Sequence, residues 1–183
     1  MGIPTASSFN KLITSTGKPS SQAQTYINQL IAEAVTGNRP EQITTPAIER
    51  GIALEAEAIE WYTLLTDRTV EETGFWRHPE IDCGASPDGL VGEGLLEVKC
   101  PINSTQVATL RKKTVPSQYV PQIQGQMWVL NRPWVDFLSY SNELPPFLVR
   151  VTRDEPYIAK LAEEVAKASA AVKAETSKLK DML

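Results

Sequence analysis

The stretch Gly84-Ala85-Ser86-Pro87-Asp88-Gly89-Leu90-Val91, followed closely by Leu95-Leu96-Glu97-Val98-Lys99-Cys100-Pro101, carries the fold's signature. The first part is a proline-bearing turn with Asp88 just after the proline. The second is an apolar run interrupted by two charges of opposite sign. Side chains alternate along a strand, so Glu97 and Lys99 share one face while Val98 takes the other. Gly92-Glu93-Gly94 joins the two apolar pieces as a hairpin, and Pro101 stops the second strand.

On either side of this hairpin the chain alternates helical and strand patterns. Ser7-Ser8 precede Phe9, Leu12 and Ile13, a short helical pattern with a serine cap. Residues 21–35 carry Tyr26, Leu30 and Ala34 at helical spacing, with Gly37 just past the end. Residues 37–46 read as a polar loop. Thr45 and Pro46 then start a helix, with proline at the first helical position. Its inward stripe reads Ile48, Ile52, Glu55, Ile59 and Tyr62 at steps of four and three. Residues 69–76 read as a strand. Beyond the central hairpin come a polar helix carrying Arg111-Lys112-Lys113, a helix over 119–130, strands over 134–140 and 147–152, and a long alanine-rich helix from Asp154 to the end. The seam of that last helix is Leu161, Val165, Ala168, Val172 and Leu179. This order predicts one domain over residues 1–183 of α/β (α+β) class, a central mixed β-sheet flanked by helices.

Composition bounds the function. The 183 residues suit one domain with a real core. Nothing is apolar enough to span a membrane and the N-terminus lacks a signal-peptide pattern, so a cytoplasmic protein is expected. In that compartment Cys83 and Cys100 are expected to be free thiols. With them, the single His78 is too little for the usual zinc site or a four-cysteine cluster. His78 reads as an exposed residue before Pro79, and the four tryptophans as core. The net charge of -4 is unlike a typical DNA-binding module, but a hydrolase that holds metal needs an acidic site and can contact DNA through local basic patches.

Two acids and a lysine beside a turn suit a hard oxygen-lined site for Mg²⁺, which takes a few carboxylates and keeps several waters. Asp88 and Glu97 are the best candidates. Glu55 is the third, because a carboxylate on an apolar stripe is costly unless partnered; it either reaches solvent at the stripe's edge or coordinates something inside. The backbone carbonyl of Val98 is a further candidate ligand. Phosphodiester hydrolysis needs water deprotonated, phosphoryl charge neutralised and the leaving oxygen stabilised, which such a site can supply. Lys99 would orient the water or stabilise charge, and burial is expected to lower its pKa. An isolated Glu-x-Lys is common; the combination with Asp88 and Glu55 gives it weight.

Five motifs in one order resemble a known family. They are Pro4-Thr5-Ala6-Ser7, residues 49–58 around Gly51 and Glu55, Ser86–Leu90 with Leu96–Pro101, Tyr119–Met127, and Arg153–Tyr157. Together they resemble the phage exonucleases of the lambda exonuclease and YqaJ-like viral recombinase group, within the restriction-endonuclease-like superfamily with its Pro-Asp…(Asp/Glu)-x-Lys core. The resemblance implies catalytic Glu55, Asp88, Glu97 and Lys99, with Mg²⁺ as cofactor and Mn²⁺ as the alternative. It implies a 5′-phosphate pocket formed by Ser7, Ser86 and Gln122. In the family pattern an arginine precedes Thr-Ala-Ser; its place falls at or before Met1, which leaves strong dependence on a 5′ phosphate in question.

The expected activity is 5′→3′ exonuclease action on double-stranded DNA ends, leaving 3′ single-stranded tails for phage recombination. The resemblance also implies a trimeric ring around DNA, where Arg111, Lys112 and Lys113 would contact the backbone, and a single-strand annealing protein as partner in a bacterial host. The rival readings are an endonuclease, an exonuclease of other polarity, or a decayed DNA-binding module.

Overall fold

Leu95, Leu96 and Val98 have no exposed face, and the strand that carries them is central. In the computed structural model, which describes residues 2–38 and 45–182, the strands are Trp76–Arg77 (β1), Gly84–Ala85 (β2), Gly89–Val91 (β3), Gly94–Lys99 (β4), Trp134–Ser139 (β5) and Phe147–Thr152 (β6). The helices are Ala23–Thr36 (α1), Pro46–Thr66 (α2), Asn103–Lys112 (α3), Val120–Val129 (α4) and Glu155–Lys180 (α5), with 3-10 turns at Ala6–Lys11 and Ser117–Tyr119. The order β3-β4-β5-β6 forms a mixed sheet in which only β4 and β5 run parallel. A parallel pair needs a long crossover, and residues 100–133 with α3 and α4 supply it. β1 and β2 form a separate hairpin.

Alternation along β4 divides the core. Leu95 packs with Ile123 and Met127 of α4 and with Val135 and Phe137 of β5. Leu96 and Val98 pack on the other face with Ala58 and Tyr62 of α2 and with Leu138 and Tyr140. A third cluster joins the first 3-10 turn and α1 to α5 through Phe9, Leu12, Leu30, Leu161 and Val165. Gly125 lets α4 approach that turn, since a Cβ there would meet the Phe9 ring at 2.4 Å. Val91 pairs with Gly94, so the hairpin turns on Gly92-Glu93, with Gly92 at φ +54°.

Several expectations are corrected. The buried residues of α2 are Leu54, Ala58 and Tyr62, while Ile48 and Ile52 are 48% and 66% exposed. The first half of α2 meets the segment after β4 instead, where Arg50 donates to the Pro101 carbonyl and a Cβ at Gly51 would stand 3.9 Å from the Cys100 carbonyl oxygen, and it leaves Ile48 and Ile52 to solvent. The strand expected over 69–76 shrinks to Trp76–Arg77 and a single bridge from Glu71 to Leu90. Asp154 caps α5 by accepting the Tyr157 N–H, but Leu179 near the other end is 41% exposed in an open groove that it lines with Ile27 and Ile31 of α1. The first 3-10 turn begins after Thr5, not after a serine cap. None of the four tryptophans is fully buried, and Trp76 is exposed. His78 is half-buried against Trp128, with Nδ1 accepting the Glu80 and Ile81 N–H groups. Cys83 and Cys100 are both free. Most of the loop expected over 37–46 lies outside the described residues.

Candidate active site

Glu97 is 1% exposed in the middle of the sheet, and a buried carboxylate survives only if its oxygens are satisfied. Its Oε1 accepts from Lys99 Nζ and from Gln122 Nε2 (2.5 Å), and its Oε2 accepts from Gln126 Nε2 (2.5 Å). Lys99 is there because positions two apart share a face of β4. Gln122 and Gln126 are there because they stand one turn apart on α4, which covers that face. Three donors occupy about four lone-pair positions, so the carboxylate keeps capacity for one further partner.

Asp88 follows the Pro87 turn at the start of β3, where its N–H donates to the Leu96 carbonyl and its Oδ2 accepts the Val98 N–H at 2.6 Å. Burial raises its pKa to about 7, helped by the charges of Glu97 and Glu55 and opposed by the Val98 N–H and Lys99. Asp88 therefore lies within range of the Glu97 charge, with the Lys99 ammonium acting on both. Lys99 shifts upward: burial alone would lower it, but attraction to Glu97, the hydrogen bond to it and the Asp88 charge outweigh that. This corrects the expected lowering, and Lys99 stays an ammonium. Its Nζ also sits 5.4 Å from the Tyr119 ring centroid.

Glu55 is half-buried on α2, close enough for its charge to act on Asp88 and Cys100. It reaches the cluster from the opposite face of the sheet to Glu97. Among the described residues, no three acidic, histidine or cysteine side chains are gathered tightly enough to hold one ion together. The donor chemistry still fits Mg²⁺, which is commonly held by one or two carboxylates and water, and Asp88 and Glu97 are hard oxygen donors whose like charges a cation would relieve. Val98 is buried, its side chain in the α2-facing cluster and its N–H given to Asp88.

The three phosphate candidates separate. Ser7 and Ser86 are exposed and line one cleft of about 540 Å³ with Thr5 and Ser8. Gln122 does not line it; its amide nitrogen donates to Glu97 Oε1 instead. Pairing of Gly84 with Thr5, and the Gly84 N–H given to the Pro4 carbonyl, dock the segment bearing Ser7 on β2. Arg111, Lys112 and Lys113 are exposed at the end of α3. Sequence reasoning missed Gln126, although its four-residue spacing from Gln122 was a usable signal for a second amide on the same carboxylate.

Residues 1–133 match the model of the YqaJ-like viral recombinase domain. The fold is similar to the crystal structure of an alkaline exonuclease, LHK-Exo, from Laribacter hongkongensis, at 36% identity and a TM-score of 0.90, covering 99% of this chain and 93% of that one. LHK-Exo in complex with dAMP matches at 37% identity and a TM-score of 0.89 with the same coverage. A phage-related exonuclease from Haemophilus somnus 129PT shares the fold at 18% identity and a TM-score of 0.74, covering 97% of this chain and 96% of that one. No curated protein sequence gives a significant match. On the matched 133 residues and the shared fold, the chain belongs to the YqaJ-like viral recombinase family.

Proposed function

We propose that this protein is a metal-dependent DNA exonuclease that degrades the 5′ strand of duplex ends, leaving 3′ tails for recombination. The observation that carries the reading is the buried Glu97 held between Lys99 and two glutamines, facing Asp88. Its similarity to the alkaline exonuclease of Laribacter hongkongensis supports the reaction class. A Mg²⁺ ion at Asp88 and Glu97, with Glu55 and the Val98 carbonyl as further donors, would supply the charge that activates water and neutralises the phosphoryl group. Lys99, held as an ammonium beside Glu97, donates toward the attacking water or the phosphoryl oxygens on which charge develops. Gln122 and Gln126 hold the Glu97 carboxylate in one orientation, so no reorganisation is needed during the reaction.

The cleft holding Ser7 and Ser86 supports end recognition. Ser86 and Asp88 are two residues apart, at most about 7 Å of chain. That is the order of the spacing between a terminal phosphate and the next phosphodiester on the same strand. A terminal phosphate held by the two serine hydroxyls would present the first internal linkage to Asp88 and Glu97. A ring of three copies with Arg111, Lys112 and Lys113 toward the duplex, and an annealing protein on the 3′ tail, belong to the same proposal.

The test is linear duplex labelled at the 5′ or the 3′ end, beside a closed circle, each incubated with the protein and Mg²⁺. The proposal predicts early release of 5′ label from linear DNA and an intact circle. Early loss of the 3′ label reverses the polarity, and a nicked circle makes the protein an endonuclease.

A further inference from the structure

The strands β1 and β2 place one cation in the serine cleft. Arg77 pairs with Gly84, and Trp76 with Ala85. By strand alternation Phe75, Arg77 and Ser86 stand on one face of this hairpin, and all three line the cleft that Ser7 also lines. Gly84 permits this face, because a Cβ there would meet the Phe75 ring at 2.2 Å. Among the described residues lining the cleft, Arg77 is the one cation and Glu33 the one anion.

Those two charges are not equally available. Glu33 is buried, and its two oxygens already accept from the Gly2 N–H (3.3 Å) and from Gln29 Nε2 (3.3 Å). Arg77 is well exposed and spends one N–H on Asp82, at 2.5 Å. A guanidinium has five N–H donors in a fixed fork. An ion pair this exposed is weak, so turning the fork toward a ligand costs little. Arginine matches two oxygens of a phosphate with one rigid fork and brings a full positive charge, which serine hydroxyls lack.

We propose that Arg77 is a specificity-determining residue that binds the 5′-terminal phosphate monoester of a DNA strand in the cleft between Ser7 and Ser86. A 5′-hydroxyl end offers its fork no dianion, so Arg77 is what makes the enzyme prefer phosphorylated ends. The inference rests on the end-recognition reading above. Asp82 is its competitor: neutralising Asp82 leaves the fork free for the ligand.

The experiment measures kcat/KM on two linear duplexes, one with 5′-phosphate and one with 5′-hydroxyl ends, for the full-length wild type, Arg77→Ala, Arg77→Lys and Asp82→Asn. Binding of the same duplexes is measured in parallel with Ca²⁺ in place of Mg²⁺. The expected result is a wild-type preference for phosphate that falls about tenfold in Arg77→Ala, the worth of one charge-assisted hydrogen bond. Arg77→Lys recovers part of it, and Asp82→Asn keeps or raises it. The affinity ratio in Ca²⁺ moves in parallel. A full preference in Arg77→Ala, in both turnover and binding, overturns the Arg77 assignment and leaves the serine cleft standing. A wild type that cuts both ends equally overturns the assignment with the cleft reading. A wild type that cuts neither end contradicts the nuclease reading itself.

Discussion

At Glu97, three N–H donors meet one buried carboxylate, and the least expected of them is Gln126. Its amide nitrogen holds Oε2, while its own Oε1 is buried with no partner among the described residues. An unpaired buried polar atom costs about 1–3 kcal/mol, so a residue kept only for packing would be better apolar. Gln126→Met, close in volume, is therefore expected to fold. It should lose metal affinity or turnover by roughly 10- to 100-fold, as partners of metal-ligating groups commonly do. Mn²⁺ titration beside initial rates would show it. His78 supplies a prediction of opposite kind. Burial lowers its pKa below the usual 6.5, and its Nδ1 accepts two backbone N–H groups only while unprotonated. A base depressed in the folded state binds fewer protons than in the unfolded chain. Its stability contribution is therefore present above the unfolded pKa and lost as pH falls below it toward the folded value. Thermal melts from about pH 7.5 down to about pH 5.5 should fall less steeply in His78→Asn, whose carbonyl can accept the same turn without titrating. Among single residues, the shared face of Glu97 and Lys99 was legible, because strand alternation fixes it, and the turn before β3 brings Asp88 onto the Val98 N–H. Gln122's partner was not, since a glutamine's target depends on how α4 lies over β4. Arg77's place was also hidden, because it follows from a hairpin too short to leave a periodic signal.

Helix α2 shows what a periodic stripe can and cannot reveal. Tyr62 belongs both to the expected stripe and to the buried face, yet the buried face runs back through Ala58 and Leu54 and the expected one through Ile59 and Ile52. Periodicity locates an apolar face, but only the sheet's extent decides how much of it is covered. Tyr62 is fixed by something the pattern lacked altogether: its hydroxyl donates to Asp136 at 2.6 Å, and Arg150 grips the same carboxylate from β6. Helix α5 behaves in the same way. Leu161 is fully buried and Leu179 is not, although both lie on its seam. Leu161→Ala should cost about 2–5 kcal/mol in denaturant unfolding, and Leu179→Ala no more than about 0.5 kcal/mol. Equal losses would mean that the end of α5 is covered in solution.

For the molecule as a whole, alternating helical and strand patterns pointed to a mixed sheet between helices, which is what forms. The pairing order and the separate β1–β2 hairpin were beyond reach, because they depend on contacts between residues far apart in the chain. The charge balance of -4 also has a consequence for the whole surface. With no general basic surface, backbone contact must be local, and Arg111, Lys112 and Lys113 are an exposed basic run. Replacing all three with alanine should weaken duplex binding in Ca²⁺. It should also flatten the dependence of log affinity on log salt by about 0.9 for each phosphate no longer neutralised. An unchanged slope would place the duplex elsewhere.

The proposed activity requires Asp88, Glu97 and Lys99 to form one hydrolytic centre. Single-turnover cleavage of a linear duplex in Mg²⁺ by the wild type and by Lys99→Ala, with duplex binding measured in Ca²⁺, probes that centre without intermediaries. Binding should stay within a few-fold of wild type while cleavage slows by about 100- to 1,000-fold, the loss expected when one preorganised donor is removed. Cleavage at the wild-type rate by Lys99→Ala would contradict such a centre, and the chemistry would then have to lie elsewhere in the molecule.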